Sequence, residues 1–392
     1  MAPATVIEEQ ALAKQAQEVL EGTPYACSEL LALGGGTANF LYRGVLRQPL
    51  PDTTSSATVI VKLSTDYVAI NRDFPLDVTR CFFEKSMLEA LDGFPRSIST
   101  GEANHVIVKA PRFYHFDPVT HTQVLEDFRD TKDLTTALQS PDVATILPGT
   151  RATSIGRAVG AWLRGFHSWS SDSAQTSLVE RVGSNAGMRR LKCLMTYDSF
   201  LEILDRHPET VEGHRETLQK VQKTMQYEFE RPPIAGDQAD CGLIHGDFWG
   251  GNVLLPSNAQ GDVTALNELF IIDWENVQFG RRAIDIGGFL GDLYERFHFK
   301  GVKESLLAMD GFIEGYGPVG EDLAYATAIH AGVHFICWYY RRDRNAPLPY
   351  PLPLVLKALI IGRDLILMGW AKDRRGLQSS ILGFMFEDGN LL

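Results

Sequence analysis

A carboxylate and a carboxamide lie five positions apart in the segment LIHGDFWGGNVLL (residues 243–255), as Asp247 and Asn252. The apolar runs on either side are typical of short β-strands, and Gly250 and Gly251 lie in the turn between them. Such a turn allows both polar side chains to point into one cleft. A carboxylate placed there can accept or orient a hydroxyl proton, and the amide oxygen can bind a metal cation.

A second carboxylate, Asp273, follows the apolar run of LFIIDWEN. Its hard oxygen atoms suit Mg²⁺, although an aspartate that follows a strand can instead cap a helix. Phosphoryl transfer from ATP needs magnesium ligands, a carboxylate beside the attacking hydroxyl, and groups that neutralise the phosphates. The two segments together therefore predict a kinase.

The remaining parts of a phosphate site are found nearer the N-terminus. Lys62 ends the strand-like run TVIVKL, and Glu84 lies at the centre of the helical segment that follows. Gly34, Gly35 and Gly36 lie in the turn of a predicted hairpin, where backbone N–H groups can approach phosphate. Each feature alone has a plain alternative, since three glycines can form an ordinary turn and a strand-end lysine is usually solvated. Five such sequence elements occur in the same order as in kinases, which favours a phosphoryl-transfer site over these plain alternatives.

The spacing matches that of protein kinases in part. Asp247 and Asn252 have the offset of H-R-D-x-x-x-x-N, Asp273 takes the place of the D-F-G aspartate, and Lys62 that of the V-A-I-K lysine. Gly246 stands where protein kinases carry the arginine that contacts a phosphorylated activation loop, and no A-P-E segment follows. The sequence therefore disfavours a protein substrate and regulation by loop phosphorylation.

The segments LIHGDFWGGNVLL and IIDWENVQFGRRAIDIGGFLGD resemble the aminoglycoside phosphotransferase and choline kinase superfamily, whose members are small-molecule kinases with a protein-kinase-like fold. They are most similar to the branch that holds methylthioribose kinase and the fungal hydroxytryptamine kinase, as is the glycine segment LGGGTANFLYRG. The resemblance extends from about residue 25 to residue 345.

This resemblance implies that Asp247 is the catalytic base and that Asn252 and Asp273 bind Mg²⁺. ATP and Mg²⁺ are the implied cofactors. Asp285 matches a family position that either braces the catalytic loop or touches substrate. The residues that the resemblance assigns to ATP are Gly34, Gly35, Gly36, Thr37, Asn39, Lys62, Glu84 and the hinge residues Leu125, Glu126 and Asp127.

The phosphate acceptor is expected beside Asp247, among residues of the helical part. Aromatic side chains with a carboxylate would suit a cationic amine, whereas paired arginines would suit a carboxylate or a cluster of sugar hydroxyls. Each kind of candidate has a plain alternative. Aromatic residues at helical spacing can belong to the core, consecutive arginines can mark a helix end, and Trp249 can simply pack the loop. The candidates are Trp249, Glu275, Asp292, Trp338, Tyr339, Arg341 and Arg342.

The pattern of apolar residues predicts an α+β fold with two lobes, like that of protein kinases. The first ~125 residues indicate a small antiparallel sheet with one internal helix, and most of the chain after Thr131 is helical, apart from strand-like runs within residues 243–285. We therefore predict an ATP-binding lobe at residues 1–127 and a larger catalytic and substrate-binding lobe at residues 128–392.

Composition narrows the class of protein. The chain has 392 residues and a net charge of -12, which disfavours a nucleic-acid surface. The late apolar stretch LVLKALIIGRDLILMGW contains three charged residues and is predicted to be a buried helix rather than a membrane span. Five scattered cysteines and a start without a secretory signal favour the cytoplasm and offer no zinc site. The expected partner is a small hydroxylated metabolite, and a monomer or homodimer is expected.

Two other functions fit the same residues. One is a catalytically silent nucleotide-binding module that acts through partner proteins, and the other is a hydrolase that transfers the phosphoryl group to water. The silent module is disfavoured because Lys62, Asp247, Asn252 and Asp273 are all present.

Overall fold

The computed structural model describes residues 6–34, 36–51, 56–94, 106–231, 240–257, 268–337, 347–387 and 389–391. The chain divides into two compact units. One unit comprises Met1–Gly93 and Ala110–Arg129, and the other comprises Phe94–Lys109 and Asp130–Leu392. The assignment of residues 1–127 to ATP binding and of residues 128–392 to catalysis stays a prediction.

Strands predominate in the first part of the described chain and helices in the rest. The strands are β1 (Cys27–Ala32), β2 (Phe40–Leu46), β3 (Thr58–Leu63), β4 (Tyr67–Val68), β5 (Asn71–Pro75), β6 (Ile107–Lys109), β7 (Phe113–Asp117), β8 (Thr122–Glu126), β9 (Thr131–Asp133), β10 (Cys241–Ile244), β11 (Val253–Pro256), β12 (Glu268–Ile271) and β13 (Gln278–Arg281). The α-helices are α1 (Val6–Leu20), α2 (Arg80–Leu91), α3 (Leu134–Leu138), α4 (Val143–Ile146), α5 (Gly149–Trp169), α6 (Thr176–Gly183), α7 (Ala186–Met195), α8 (Phe200–Asp205), α9 (Arg215–Glu230), α10 (Ala283–Lys300), α11 (Lys303–Tyr316), α12 (Glu321–Cys337), α13 (Leu352–Trp370) and α14 (Arg374–Gln378).

In the first unit, β1, β2, β3, β8 and β7 form an antiparallel sheet in that order. Side chains alternate along β2 between buried and half-buried positions, because successive residues of a strand point to opposite faces of the sheet. The buried face packs with Ala16 and Leu20 of α1. The predicted hairpin of β1 and β2 and the predicted internal helix, which is α2, are both present.

The second unit is mostly helical, and its short strands form two small sheets. One sheet has the order β6-β12-β11-β9, in which β6 and β12 run parallel, and the other is the antiparallel pair of β10 and β13. The predicted fold class, an α+β chain with an antiparallel β-rich part followed by a larger helical part, is confirmed. Within the part of the chain that the structure describes, no helix is long and apolar enough to cross a membrane.

The apolar residues of the sequence run HVIVKAPRFYHFD predict a single strand, but the run is divided between the two units. Its first part forms β6 and its second part forms β7. Pro111 lies between them and lacks the N–H group that a continuous strand would donate to its neighbour. The expectation of one uninterrupted strand was therefore wrong.

Helices α5 and α11 approach each other closely at glycine residues. A Cβ atom at any of these positions would lie only 2.0 or 2.1 Å from a backbone carbonyl oxygen of the other helix. The contact places His167, near the end of α5, beside Tyr316, the last residue of α11. The glycines are Gly156 and Gly160 of α5 and Gly311 and Gly315 of α11.

We expect Gly160→Ala to destabilise the protein by roughly 1–3 kcal/mol, because the added methyl group would force the two helix backbones apart. Thermal and urea unfolding would measure the loss. Gly320→Ala is the matched control, since a Cβ atom there has no neighbour within 4 Å. Equal stability of the two variants would show that the close helix contact is not required.

Candidate active site

Lys62 and Glu84 form a buried ion pair within the first unit. The distance from Lys62 Nζ to Glu84 Oε1 is 2.9 Å, and the two side chains are 4% and 1% exposed. Strand β3 positions the lysine and helix α2 positions the glutamate. Lys62 is thus not a solvated strand-end lysine. A charge buried to this degree is tolerated only with an oppositely charged partner.

Asn39, one of the residues assigned to ATP, lies in the glycine segment, is buried, and contacts the start of α2. Its Oδ1 accepts hydrogen bonds from Ser64 Oγ at 3.0 Å and from Arg80 Nη2 at 2.7 Å. Arg80 is fully buried in the first turn of α2 and also donates to the Thr65 carbonyl oxygen at 2.8 Å. Arg80 therefore ties the end of the glycine segment to the helix that carries Glu84. Sequence reasoning missed it, because a single arginine at a helix start carries no distinctive signal.

The other predicted ATP residues lie at the ends of strands in the same unit. The carbonyl oxygen of Thr37 accepts a hydrogen bond from the Ile70 N–H at 3.2 Å. The Asp127 carboxylate follows β8, is 1% exposed, and binds Arg43 at 2.7 and 3.0 Å. Gly34 and Gly36 lie between β1 and β2 and Leu125 and Glu126 end β8, whereas Gly35 is outside the described residues.

The loop of residues 245–252 joins β10 to β11 in the second unit, and a buried carboxylate holds its start. Asp285, in the first turn of α10, accepts hydrogen bonds from the backbone N–H groups of His245 at 2.8 Å and Gly246 at 3.0 Å. Its Oδ2 also lies 3.2 Å from His167 Nε2. Asp285 is fully buried. These contacts favour the interpretation that Asp285 braces the loop.

The Asp285 carboxylate is oriented in turn by His167 and Tyr316. Burial lowers the pKa of His167, and the neighbouring Asp285 carboxylate acts in the opposite direction. The neutral imidazole can donate a hydrogen bond from Nε2–H to Asp285. Its Nδ1 can accept a hydrogen bond from the Tyr316 hydroxyl group, whose oxygen lies 2.9 Å away. Burial raises the pKa of Tyr316 to about 12, so its hydroxyl remains a donor at neutral pH. Hydrogen bonds through Tyr316, His167 and Asp285 therefore connect the closely packed helices α5 and α11 to the loop.

Gly246 has no room for a side chain. Its φ angle is +82°, and a Cβ atom would lie 2.2 Å from the carbonyl oxygen of Asn276. This is the position at which protein kinases carry arginine. The loop thus excludes that arginine sterically as well as conformationally.

Asp247 and Asn252 are joined by hydrogen bonds to the strand end that precedes Asp273. His245 Nδ1 accepts from the Asp247 N–H at 3.3 Å, and its Nε2 lies 3.0 Å from the carbonyl oxygen of Ile272. Asn252 Nδ2 donates to the Asp247 carbonyl oxygen at 2.9 Å, while the Ile272 N–H donates to the Asn252 carbonyl oxygen at 3.0 Å. The backbone bond between Ile272 and Asn252 extends the pairing of β11 with β12 by one residue. The loop residues Asp247 and Asn252 are thereby brought into one small region of the second unit with Asp273.

Asp273 itself adopts a left-handed conformation, with φ 65° and ψ 63°. It precedes a 3-10 helix, Trp274–Asn276, and its side chain makes no capping hydrogen bond there. A left-handed aspartate costs free energy and persists only where neighbouring contacts hold it. Trp274 supplies such a contact, since it is fully buried and donates from Nε1 to the Ile271 carbonyl oxygen at 3.0 Å. The capping role that the sequence left open for Asp273 is not observed.

Lys192 lies beside the predicted base, and sequence reasoning missed it. Its Nζ atom is 3.4 Å from Asp247 Oδ1, and the lysine side chain is 9% exposed while that of Asp247 is 39% exposed. Lys192 belongs to α7, 55 residues before Asp247. No motif spacing could have connected residues so far apart in sequence.

Two of the candidate acceptor residues make contacts inside the loop. The half-buried indole of Trp249 covers Gly251, where a Cβ atom would lie 2.3 Å from the ring. The Asp292 carboxylate is fully buried and accepts hydrogen bonds from the Gly250 N–H at 3.1 Å and from Arg296 at 2.8 Å. Both side chains therefore support the turn between Asp247 and Asn252.

The remaining acceptor candidates are Glu275 and four residues that follow α12 in the sequence. Glu275 is 3% exposed and lies in the 3-10 helix after Asp273. The aromatic and arginine candidates Trp338, Tyr339, Arg341 and Arg342 lie outside the described residues.

His330 of α12 lies in the interior of the second unit, near Lys192. Its Nδ1 is 3.0 Å from the Tyr197 hydroxyl, and the residue is 1% exposed. Burial lowers the pKa of His330 well below its ordinary value of 6.5, and the positive charge of Lys192 lowers it further. The imidazole is therefore neutral at physiological pH.

Stability is expected to fall as the pH drops below 6.5, because the unfolded chain then binds a proton at His330 that the folded chain excludes. The loss approaches about 1.4 kcal/mol per pH unit for one histidine. In His330→Gln the pH dependence of unfolding between pH 7 and 5 should be shallower than in the wild type. His214→Gln, at a half-buried site before α9, is the control. Identical slopes for His330→Gln and the wild type would contradict the assignment.

The family model and the relatives found by sequence indicate a kinase-related family. The ecdysteroid kinase-like family matches residues 173–295. The phosphotransferase FrzJ of a Cladobotryum species is 30% identical over 378 residues, which cover 94% of each chain. The 4-hydroxytryptamine kinase of Psilocybe cubensis is 24% identical over 317 residues, covering 78% of this chain and 79% of that enzyme. Among solved structures, the choline kinase LicA of Streptococcus pneumoniae is matched with a TM-score of 0.45 at 13% identity, over 93% of this chain and 99% of the other.

Proposed function

Because the chain belongs to the small-molecule phosphotransferase family of FrzJ and the fungal hydroxytryptamine kinases, we propose that it transfers the γ-phosphoryl group of ATP to a metabolite hydroxyl, with Asp247 as the base. The sequence-based recognition of this kinase superfamily and of the enzyme class, a phosphotransferase with an alcohol acceptor, is confirmed by these relatives. The residues and their roles are the proposal.

The observation that carries the proposal is the contrast between Asp247 and its surroundings. The Asp247 side chain is 39% exposed, whereas His245 and Asp285, which fix its backbone, are fully buried. An accessible carboxylate on a rigid loop is suited to orient a hydroxyl group and accept its proton. A loop that merely connected two strands would not need a buried carboxylate to hold its backbone.

Asn252 and Asp273 are the proposed ligands of Mg²⁺. The Asn252 amide nitrogen is engaged with the Asp247 carbonyl oxygen, which leaves the amide oxygen as the atom that can meet a cation. Among the residues that the structure describes, no cluster of three or more His, Cys, Asp or Glu side chains suits a metal ion. Mg²⁺ does not require one, because it commonly takes one or two protein oxygens and completes its shell with phosphates and water. The donor set therefore fits Mg²⁺, which when bound would neutralise charge on the ATP phosphates.

The ATP phosphates are proposed to meet Lys62, which Glu84 orients. The buried ion pair of these residues supports this assignment, because it fixes the ammonium group at one position. Asn39 is proposed to hold the glycine segment against α2, since its Oδ1 accepts hydrogen bonds from Ser64 and Arg80.

We expect Asp247→Asn to lower turnover by about 10²–10⁴-fold, because the amide cannot accept the hydroxyl proton, while ATP binding is retained. The test is mass spectrometry of products from Mg-ATP and a panel of hydroxylated metabolites. The panel contains 4-hydroxytryptamine, methylthioribose, choline, amino alcohols and aminoglycosides. Asp142→Asn, at an exposed position without a capping bond, is the matched control.

A phosphorylated product from the wild type and Asp142→Asn, but not from Asp247→Asn, would identify both the reaction and the acceptor. Full activity of Asp247→Asn would exclude Asp247 as the base. Release of ADP without any phosphorylated acceptor would favour transfer to water instead.

Asp273→Asn is expected to raise the Mg²⁺ concentration needed for half-maximal activity by at least about tenfold, because a carboxylate ligand is lost. Asparagine tolerates the left-handed conformation of this position, so the backbone should remain as it is. Magnesium titrations of activity and of the melting temperature with ATP present would measure the change. An unaltered Mg²⁺ requirement in both would remove Asp273 from the metal site.

A further inference from the structure

Helix α7 is attached to the segment that follows Asp273. Asn185, the residue before the helix, accepts a hydrogen bond from the Met188 N–H at 3.3 Å and so caps its first turn. The Asn185 amide nitrogen donates to the carbonyl oxygens of Val277 at 2.9 Å and Glu275 at 3.3 Å. The start of α7 is therefore fixed against the backbone next to the proposed metal ligand.

Lys192 follows Asn185 by seven residues, about two helical turns, and so lies on the same side of α7. Its side chain remains 9% exposed, and its ammonium group lies 3.4 Å from Asp247 Oδ1. An ammonium group with so little access to water requires a negatively charged partner. Lys192 is thus held beside the Asp247 carboxylate by the packing of its helix and by charge.

We propose that Lys192 is a positioning residue of the catalytic site: its ammonium group holds Oδ1 of Asp247, so that Oδ2 faces the acceptor hydroxyl. This inference rests on the proposed function. The hydroxyl proton passes to Oδ2 as the hydroxyl oxygen bonds to the γ-phosphorus. The bond between that phosphorus and the β–γ bridging oxygen breaks, and ADP leaves. Lys192 acts through Asp247 by fixing which oxygen receives the proton.

Removal of the ammonium group should leave the fold intact. Asp247 is 39% exposed, so water can solvate its carboxylate when Lys192 is replaced, and no buried charge is left without a partner. Methionine has nearly the length of lysine and is suited to the mostly buried position. The effect of Lys192→Met should therefore appear in turnover and not in stability.

The experiment compares Lys192→Met, Lys192→Arg, Asp247→Asn and the double variant Lys192→Met/Asp247→Asn. Arg190→Met is the matched control, because Arg190 lies on the same helix, is 61% exposed and pairs with Asp198. The readouts are kcat and KM with the acceptor that the wild type phosphorylates best, ADP release without acceptor, and the melting temperature.

We expect Lys192→Met to lower kcat by about 10²-fold with little change in the KM for ATP, since misplacement of a catalytic group by about 1 Å has this effect. Lys192→Arg should recover most of the loss, because it keeps the positive charge. In the Asp247→Asn background, Lys192→Met should cause no further loss, since its action passes through Asp247. Arg190→Met should resemble the wild type.

Three outcomes would overturn the inference and leave the proposed function standing. The first is a wild-type kcat in Lys192→Met. The second is that Lys192→Met lowers kcat by the same factor in the Asp247→Asn background as in the wild-type background. The third is a fall in kcat that is accompanied by a fall in melting temperature and that Lys192→Arg does not reverse. If the wild type forms neither product nor ADP with any member of the panel, the proposed function fails, and the inference fails with it.

Discussion

The Asp285 carboxylate is the constraint on which the rest of the second unit depends. A fully buried carboxylate must find hydrogen-bond donors, and here two of them are consecutive backbone N–H groups of the loop that carries Asp247. The third is the His167 imidazole, which reaches Asp285 because α5 lies directly against α11. Helix packing, the tautomer of one histidine and the conformation of the loop are therefore parts of a single arrangement.

Two lysine–carboxylate pairs in this protein differ in their access to water. In the pair of Lys62 and Glu84 both side chains are buried. In the pair of Lys192 and Asp247 the lysine is buried and the carboxylate is partly open. The first arrangement holds a positive charge away from water, and the second places a buried ammonium group beside a carboxylate that remains partly exposed. Under the proposed function, the first pair would act on the ATP phosphates and the second on the acceptor hydroxyl.

The residues found from the sequence are those whose spacing along the chain is short or characteristic. Asp247, Asn252 and Asp273 could be predicted because one loop and one strand end carry them, and the structure joins their backbones through His245 and Ile272. Their chemical roles stay predictions. The antiparallel part and the helical part could likewise be predicted from periodicity, although Pro111 divided a run that looked like one strand. The residues that were missed act across long separations: Lys192 reaches Asp247 over 55 residues, and Arg80 reaches Asn39 over 41, through helix packing that no local pattern encodes.

The turn at Gly246 also constrains how this enzyme can evolve. No side chain fits between this residue and the carbonyl oxygen of Asn276, so a single codon change cannot introduce an arginine there without rebuilding the neighbouring turn. A covalent on–off switch of the protein-kinase type consequently has no point of attachment in this loop.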